Sequence, residues 1–330
     1  MALSLYFALL FVGDCGYCGT VKTPRILVVR GGAIGDFIMT LPAIGALRER
    51  WPEAHIEILG YPHVIELAHG RYYADGTRSI DAKPMAGFFV PNGILEPRLM
   101  DYFGSFNVVI SYLFDPDRIF ANNIRRCGVK QVIEASPRPK ELPAAEHYCK
   151  PLESLAIYFE SPQPRLYPNE ADRQAASQFL KMAGRERIVA VHPGSGSEKK
   201  NWPAERFAAV ARWLVDELAA QLLVVQGEAD ERAVVQLEHL LQNRKFTRAR
   251  GLTLVELAAV LERCALFLGN DSGITHVAAA VGTPVVALFG NASPSVWEPR
   301  GEQVRVVRFG ERDVTEVRSA IETMWRAGNR

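Results

Sequence analysis

Two stretches carry residues of the kind that hold an anion. The first is His192-Pro193-Gly194-Ser195-Gly196-Ser197-Glu198-Lys199-Lys200-Asn201-Trp202-Pro203, which leaves an apolar run and enters a helical one. Its small residues let backbone amides close on a phosphate, its hydroxyls add donors, and a lysine brings a compact positive charge. Pro203 fits a first helical turn. A polar loop with surface lysines is an equal alternative for this stretch taken alone. The second is Gly269-Asn270-Asp271-Ser272-Gly273-Ile274-Thr275-His276, which again joins a strand to a helix. Free amides at a helix start, at the positive end of its dipole, favour a pyrophosphate. His276 shares a side with Ser272 by i,i+4 spacing. The plainer alternative is an Asp or Ser N-cap with a satisfied core histidine. Two such loops in one half of the chain favour the phosphate site.

Two more loops belong to the same set. Leu288-Phe289-Gly290-Asn291-Ala292-Ser293-Pro294 ends a strand and would line the same rim. Gln226-Gly227-Glu228-Ala229-Asp230-Glu231 offers carboxylates to ribose hydroxyls, although an acid-rich helix start reads the same way. In the N-terminal half, Gly31-Gly32-Ala33-Ile34-Gly35-Asp36 approaches a dinucleotide fingerprint and fails it. Arg30 holds the first glycine position, and the next strand ends at Leu59-Gly60 with no acid for a ribose. Asp36, at the mouth of this turn, is better explained by a role in a cleft; a simple helix cap is the alternative.

These residues must be positioned by an alternating α/β framework. Strands are expected from Arg25, at His55–Leu59, Val108–Leu113 and Gln131–Glu134, then at Ile188–Val191, Leu222–Val225, Leu266–Leu268 and Val285–Phe289. In the second half, helices are expected at Ala204–Leu218, Asp230–Leu241, Leu254–Arg263, Ser272–Val281 and Val314–Trp325. This alternation implies parallel sheets, which take ligands outside the carboxyl ends of their strands. The prolines at 162, 164 and 168 suit a stiff linker. The expected division is therefore a 1–24 extension outside the fold, a domain over 25–162 and a domain over 163–330. A cleft between the two Rossmann-like halves would bring the glycine turns near Gly35 and Gly194 face to face.

Bulk properties exclude several classes. With 38 basic and 37 acidic residues the 330-residue chain has a net charge of +1, so no global field draws it to nucleic acid. The five cysteines are scattered and imply no disulfide framework. No cluster of His, Cys and carboxylates has metal-ligand spacing, and neither a metal nor a resident cofactor is expected. Leu3–Val12 is apolar but too short to span a bilayer. The expected location is cytoplasmic, with peripheral contact at the inner face of the inner membrane left open.

With these blocks in order, the sequence resembles glycosyltransferase family 9, the ADP-heptose:lipopolysaccharide heptosyltransferases. The resemblance rests on Gly35-Asp36 followed by Thr40-Leu41-Pro42, His192-Pro193-Gly194, Lys200-Asn201-Trp202-Pro203, Asp271-Ser272-Gly273 with His276, Ala278-Ala279-Ala280, Gly282-Thr283-Pro284 and Leu288-Phe289-Gly290. It implies a GT-B fold and an inverting, metal-independent transfer from a nucleotide-sugar to a glycolipid or glycan acceptor. By position it implies Asp36 as general base, with Gly32 and Gly35 in an acceptor-side turn. It places Ser195, Lys200, Asp271, Ser272, Gly273 and His276 at the donor's phosphates, and the ribose-binding acid at Glu228 or Glu231. The chain departs from the family at Gly32, where a serine is frequent, and at Asn291-Ala292, where Pro-Thr is frequent. A nucleotide-sugar epimerase of similar fold and a non-catalytic nucleotide-binding protein are the rival readings.

Overall fold

A computed structural model describes residues 23–181, 187–227, 230–242, 244–290, 294–310 and 313–327. The apolar runs of the sequence become parallel strands buried on both faces, the pattern expected when helices cover a sheet from both sides. In the first half these are β1 (Arg25–Arg30), β2 (His55–Gly60), β3 (Gly76–Ser79), β4 (Val108–Ser111) and β5 (Gln131–Glu134). They form one parallel sheet in the order β3-β2-β1-β4-β5. Helix α1 (Ile34–Arg50) follows β1, α2 (Pro97–Gly104) precedes β4, and α3 (Ile119–Arg126) lies between β4 and β5. Leu27, Val29, Phe88, Phe103 and Phe120 fill the core on one face of this sheet.

The second half opens with α4 (Glu170–Leu180), whose start is fixed by a capping box between Asn169 and Asp172. Then come β6 (Ile188–His192), α5 (Ala204–Leu218), β7 (Gln221–Gln226), α6 (Glu231–Leu241), β8 (Thr247–Arg250), α7 (Leu254–Glu262), β9 (Leu266–Asn270), α8 (Gly273–Ala280), β10 (Val285–Phe289), β11 (Val304–Arg308) and α9 (Asp313–Ala327). The six strands make a second parallel sheet in the order β11-β10-β9-β6-β7-β8. Helix α5 shows why it packs here. Phe207, Val210, Ala211 and Leu214, at i, i+3, i+4 and i+7, are all buried against Val189, Val191 and Leu222.

The molecule is thus α/β with two Rossmann-like parallel sheets, as the alternation implied. The strand expected over Val108–Leu113 stops at Ser111. Strands β3, β8 and β11 were not expected; each lies at a sheet edge and is only partly buried. The chain divides into two compact units. Among the described residues, one gathers those up to Gly32 with Thr40–Lys140 and Ala145–Pro162; the other gathers Ala33–Met39, Glu141–Ala144 and those from Gln163 on. The first turn of α1 therefore belongs with the second unit. Among the described residues, no helix is long and apolar enough to cross a membrane.

Candidate active site

In the second sheet the chain runs outward from β6 through β7 to β8, then returns to the other side of β6 as β9. The carboxyl ends of β6 and β9 are thus the switch point, where an open parallel sheet takes its ligand. His192, the last residue of β6, stands in register with Gly269 of β9. Both anion loops leave from this point.

Asn270 ties the two loops together from a fully buried position. Its Nδ2 donates to the carbonyls of Pro193 at 2.8 Å and Gly194 at 3.3 Å, and its Oδ1 accepts from the Trp202 amide at 2.9 Å. Its own carbonyl accepts the Thr275 hydroxyl. Ser195 is nearly buried in the first loop, within 2.6 Å of Asn201 Oδ1 and 2.7 Å of the Ser197 carbonyl, so its one proton is shared inside the loop. Trp202 anchors the far end of this loop. Its indole N–H donates to Asp313 at 2.8 Å, and its ring meets Phe207 edge-on.

At the start of α8, Lys200 Nζ reaches Oδ2 of the buried Asp271 at 2.7 Å. Ser272 is the N-cap, and its Oγ accepts from the Thr275 amide at 3.4 Å. His276 lies one turn in and is buried, and its Nδ1 has no hydrogen-bond partner. Burial pushes its pKa down to about 4, the Lys200 charge adds to this, and the carboxylates of Asp271 and Asp36 oppose it. The ring is therefore neutral at neutral pH and can offer one N–H to an anion. The second unit also holds Ala33–Met39, and there Gly35 lies against the His276 ring: a β-carbon at Gly35 would stand 3.1 Å from its Cδ2.

Asp36 is the third residue of α1, and its Oδ2 accepts from the Ala33 amide at 3.3 Å, a helix-capping contact. Gly32, just before it, is exposed at φ +137°, a conformation that a serine would adopt only with strain. Gly273 sits at the first position of α8. Glu231 is the exposed first residue of α6, while Glu228 and Asn291-Ala292 lie outside the described residues.

Between the two glutamates, Asp230 does something the sequence reading did not foresee. Its buried carboxylate accepts from His192 Nε2 at 2.8 Å and from the Gly227 amide at 2.9 Å. Burial raises its pKa, but the hydrogen bond and charge of His192 and the Gly227 amide more than offset this, leaving it below the usual carboxylate range. A β-carbon on Gly194 would fall 1.9 Å from Asp230 Oδ1, so only glycine fits there. His192, Asp230 and Asn270 were all in the motifs, yet their contacts, to one another and to Ser272 and Pro193, span 38 to 80 residues and leave no local signature. Among the described residues, no group of three or more His, Cys, Asp or Glu gathers as a metal site.

Comparison with known proteins agrees with this architecture. The sequence model of glycosyltransferase family 9 (heptosyltransferase) matches residues 120–323. Lipopolysaccharide heptosyltransferase 2 of Escherichia coli K12 is 25% identical over 314 residues, covering 86% of this chain and 88% of that protein. A glycosyl transferase family 9 structure from Veillonella parvula superposes with a TM-score of 0.78 at 23% identity, covering 92% of this chain and 97% of the other. The E. coli ADP-heptose LPS heptosyltransferase II structure gives 0.73 at 18% identity, over 93% and 100% of the two chains. Fold and matches together define a glycosyltransferase of the GT-B fold. The chain belongs to glycosyltransferase family 9, the heptosyltransferase family.

Proposed function

We propose that this enzyme moves a heptose from ADP-heptose to a lipopolysaccharide-core or related glycan acceptor, with inversion and without a divalent ion. Residues 163–330 hold the donor, residues 25–162 take the acceptor, and Asp36 is the general base. The reading is supported by the substrates in the names of the E. coli relatives. The observation that carries it is the Lys200–Asp271 pair beside the Ser272 cap, a positive charge fixed at the start of α8.

The acceptor hydroxyl attacks the anomeric carbon of the heptose. The new C–O bond forms as the bond from that carbon to the diphosphate oxygen breaks, and the hydroxyl proton passes to the Asp36 carboxylate. The departing diphosphate gains negative charge, which Lys200 and the free amides of α8 meet. Neutral His276 donates to a phosphate oxygen, Ser272 supplies a hydroxyl, Ser195 braces the phosphate loop from within, Gly273 gives close backbone approach, and Glu231 or Glu228 takes the ribose. Gly32 and Gly35 shape the acceptor-side turn. The enzyme works on the cytoplasmic side and reaches a membrane-bound acceptor by peripheral contact.

A thermal-shift panel of ADP, UDP and GDP, with transfer from ADP-heptose measured in EDTA, tests the reading. ADP should raise the melting temperature most, and transfer should persist in EDTA. Equal shifts from all three nucleotides would remove the adenine preference; activity lost to EDTA and restored by magnesium or manganese would contradict the metal-free step.

A further inference from the structure

The donor-site reading leaves one buried pair unused. His192 and Asp230 are 1% and 6% exposed, and neither side chain is placed to touch a ligand directly. The imidazole bridges them to the anion site: Nε2 donates to Asp230 Oδ2 at 2.8 Å, and Nδ1 stands 3.3 Å from Ser272 Oγ. An unpaired acid in such a place would be costly, so the carboxylate fixes which way the ring faces.

The protons around Ser272 can be counted. Thr275 spends its hydroxyl proton on the Asn270 carbonyl, so its Oγ1 can only accept from Ser272, 3.1 Å away. Ser272 Oγ already accepts the Thr275 amide. Ser272 Oγ is thus held from two further sides, by His192 Nδ1 at 3.3 Å and by Thr275 Oγ1 at 3.1 Å. The other charges near this point are the Asp271 carboxylate, next in sequence to Ser272, and its partner Lys200.

We propose that Asp230 and His192 are positioning residues for Ser272. Held by Asp230, the His192 ring fixes the Ser272 hydroxyl at the start of α8, where it can turn to a phosphate oxygen of the donor. Gly194 is part of the device, because any side chain there would displace the Asp230 carboxylate. The inference rests on the diphosphate being bound at α8, as proposed above.

A double-mutant cycle on ADP affinity, read by calorimetry, tests it. His192→Gln keeps a donor toward Asp230 and loses the ring nitrogen beside Ser272. It should weaken ADP about tenfold, the worth of one hydrogen bond to a charged group. Ser272→Ala should cost a similar factor, and the double variant should bind no more weakly than Ser272→Ala alone. Additive losses, or ADP affinity unchanged in His192→Gln, would overturn the inference while the donor site stood. A wild-type enzyme that fails to bind ADP would overturn both. A second measurement needs no variant: in the 15N spectrum of the wild-type enzyme, the Nδ1 resonance of His192 should move on ADP addition. An unmoved Nδ1 resonance would overturn the inference.

Discussion

Lys200 Nζ lies 2.7 Å from Oδ2 of Asp271, a half-exposed lysine resting on a carboxylate that is almost wholly buried. The carboxylate cannot itself face a phosphate without repulsion, but it holds the ammonium at the mouth of α8 before any ligand arrives. Part of the ordering cost of the lysine is thus met within the free protein.

Lys200→Ala should therefore weaken ADP by about 10- to 100-fold, the range of a charge-assisted contact. Lys199→Ala, changing the exposed neighbour, should stay within about twofold of wild type. Calorimetric titration of both variants decides it, and a larger loss in Lys199→Ala would mean that the wrong lysine has been assigned.

His276 gives the fold a pH dependence of defined sign. Burial holds it at about 4 in the folded chain, against 6.5 for an ordinary histidine. Between these values the unfolded chain takes up a proton that the folded chain refuses. The stability linked to this group is present above about pH 6.5 and is lost as pH falls toward 4, on the order of 3 kcal/mol in all. Carboxylates held low, such as Asp230 and Asp313, titrate below this window and do not mask it. Urea unfolding at pH 7 and pH 4.5 should show wild type losing about 2 kcal/mol more than His276→Gln. Equal losses would mean that His276 is charged in the folded protein.

Gly194 and Gly196 form a matched pair. A methyl at Gly194 meets Asp230 Oδ1 at 1.9 Å, whereas one at Gly196 meets nothing within 4 Å. Gly194→Ala should destabilise by about 1–3 kcal/mol through overpacking beside a buried carboxylate, and Gly196→Ala should change stability by about 0.5 kcal/mol or less. Chemical denaturation of the two variants side by side provides the check; equal stabilities would remove the steric argument.

The parts of this structure that were legible in the sequence are those governed by local pattern. Strands β6, β9 and β10 are buried on both faces and so appear as unbroken apolar runs, and the loops after them announce themselves by glycine, serine and asparagine. The edge strand β8, Thr-Arg-Ala-Arg, buries only one of its four residues and looks like loop. The site was legible as a set of motifs and illegible as a network. Trp202 meets Asp313 across 111 residues and His192 meets Asp230 across 38, distances over which periodicity says nothing. The Gly194 and Asp230 positions make sense only together, and neither residue type announces the other.

If Asp36 takes the acceptor proton while the second sheet holds the donor, loss of its carboxylate should stop turnover and spare donor binding. Asp36 also caps α1 through the Ala33 amide, and Asn can keep that acceptor while losing the basic carboxylate. The measurement is turnover from ADP-heptose to the acceptor in Asp36→Asn, with ADP affinity determined on the same preparation. ADP affinity should stay close to wild type while turnover falls ~100- to 10,000-fold, the usual cost of removing a general base. Turnover near that of wild type would reduce Asp36 to a helix cap and contradict the account.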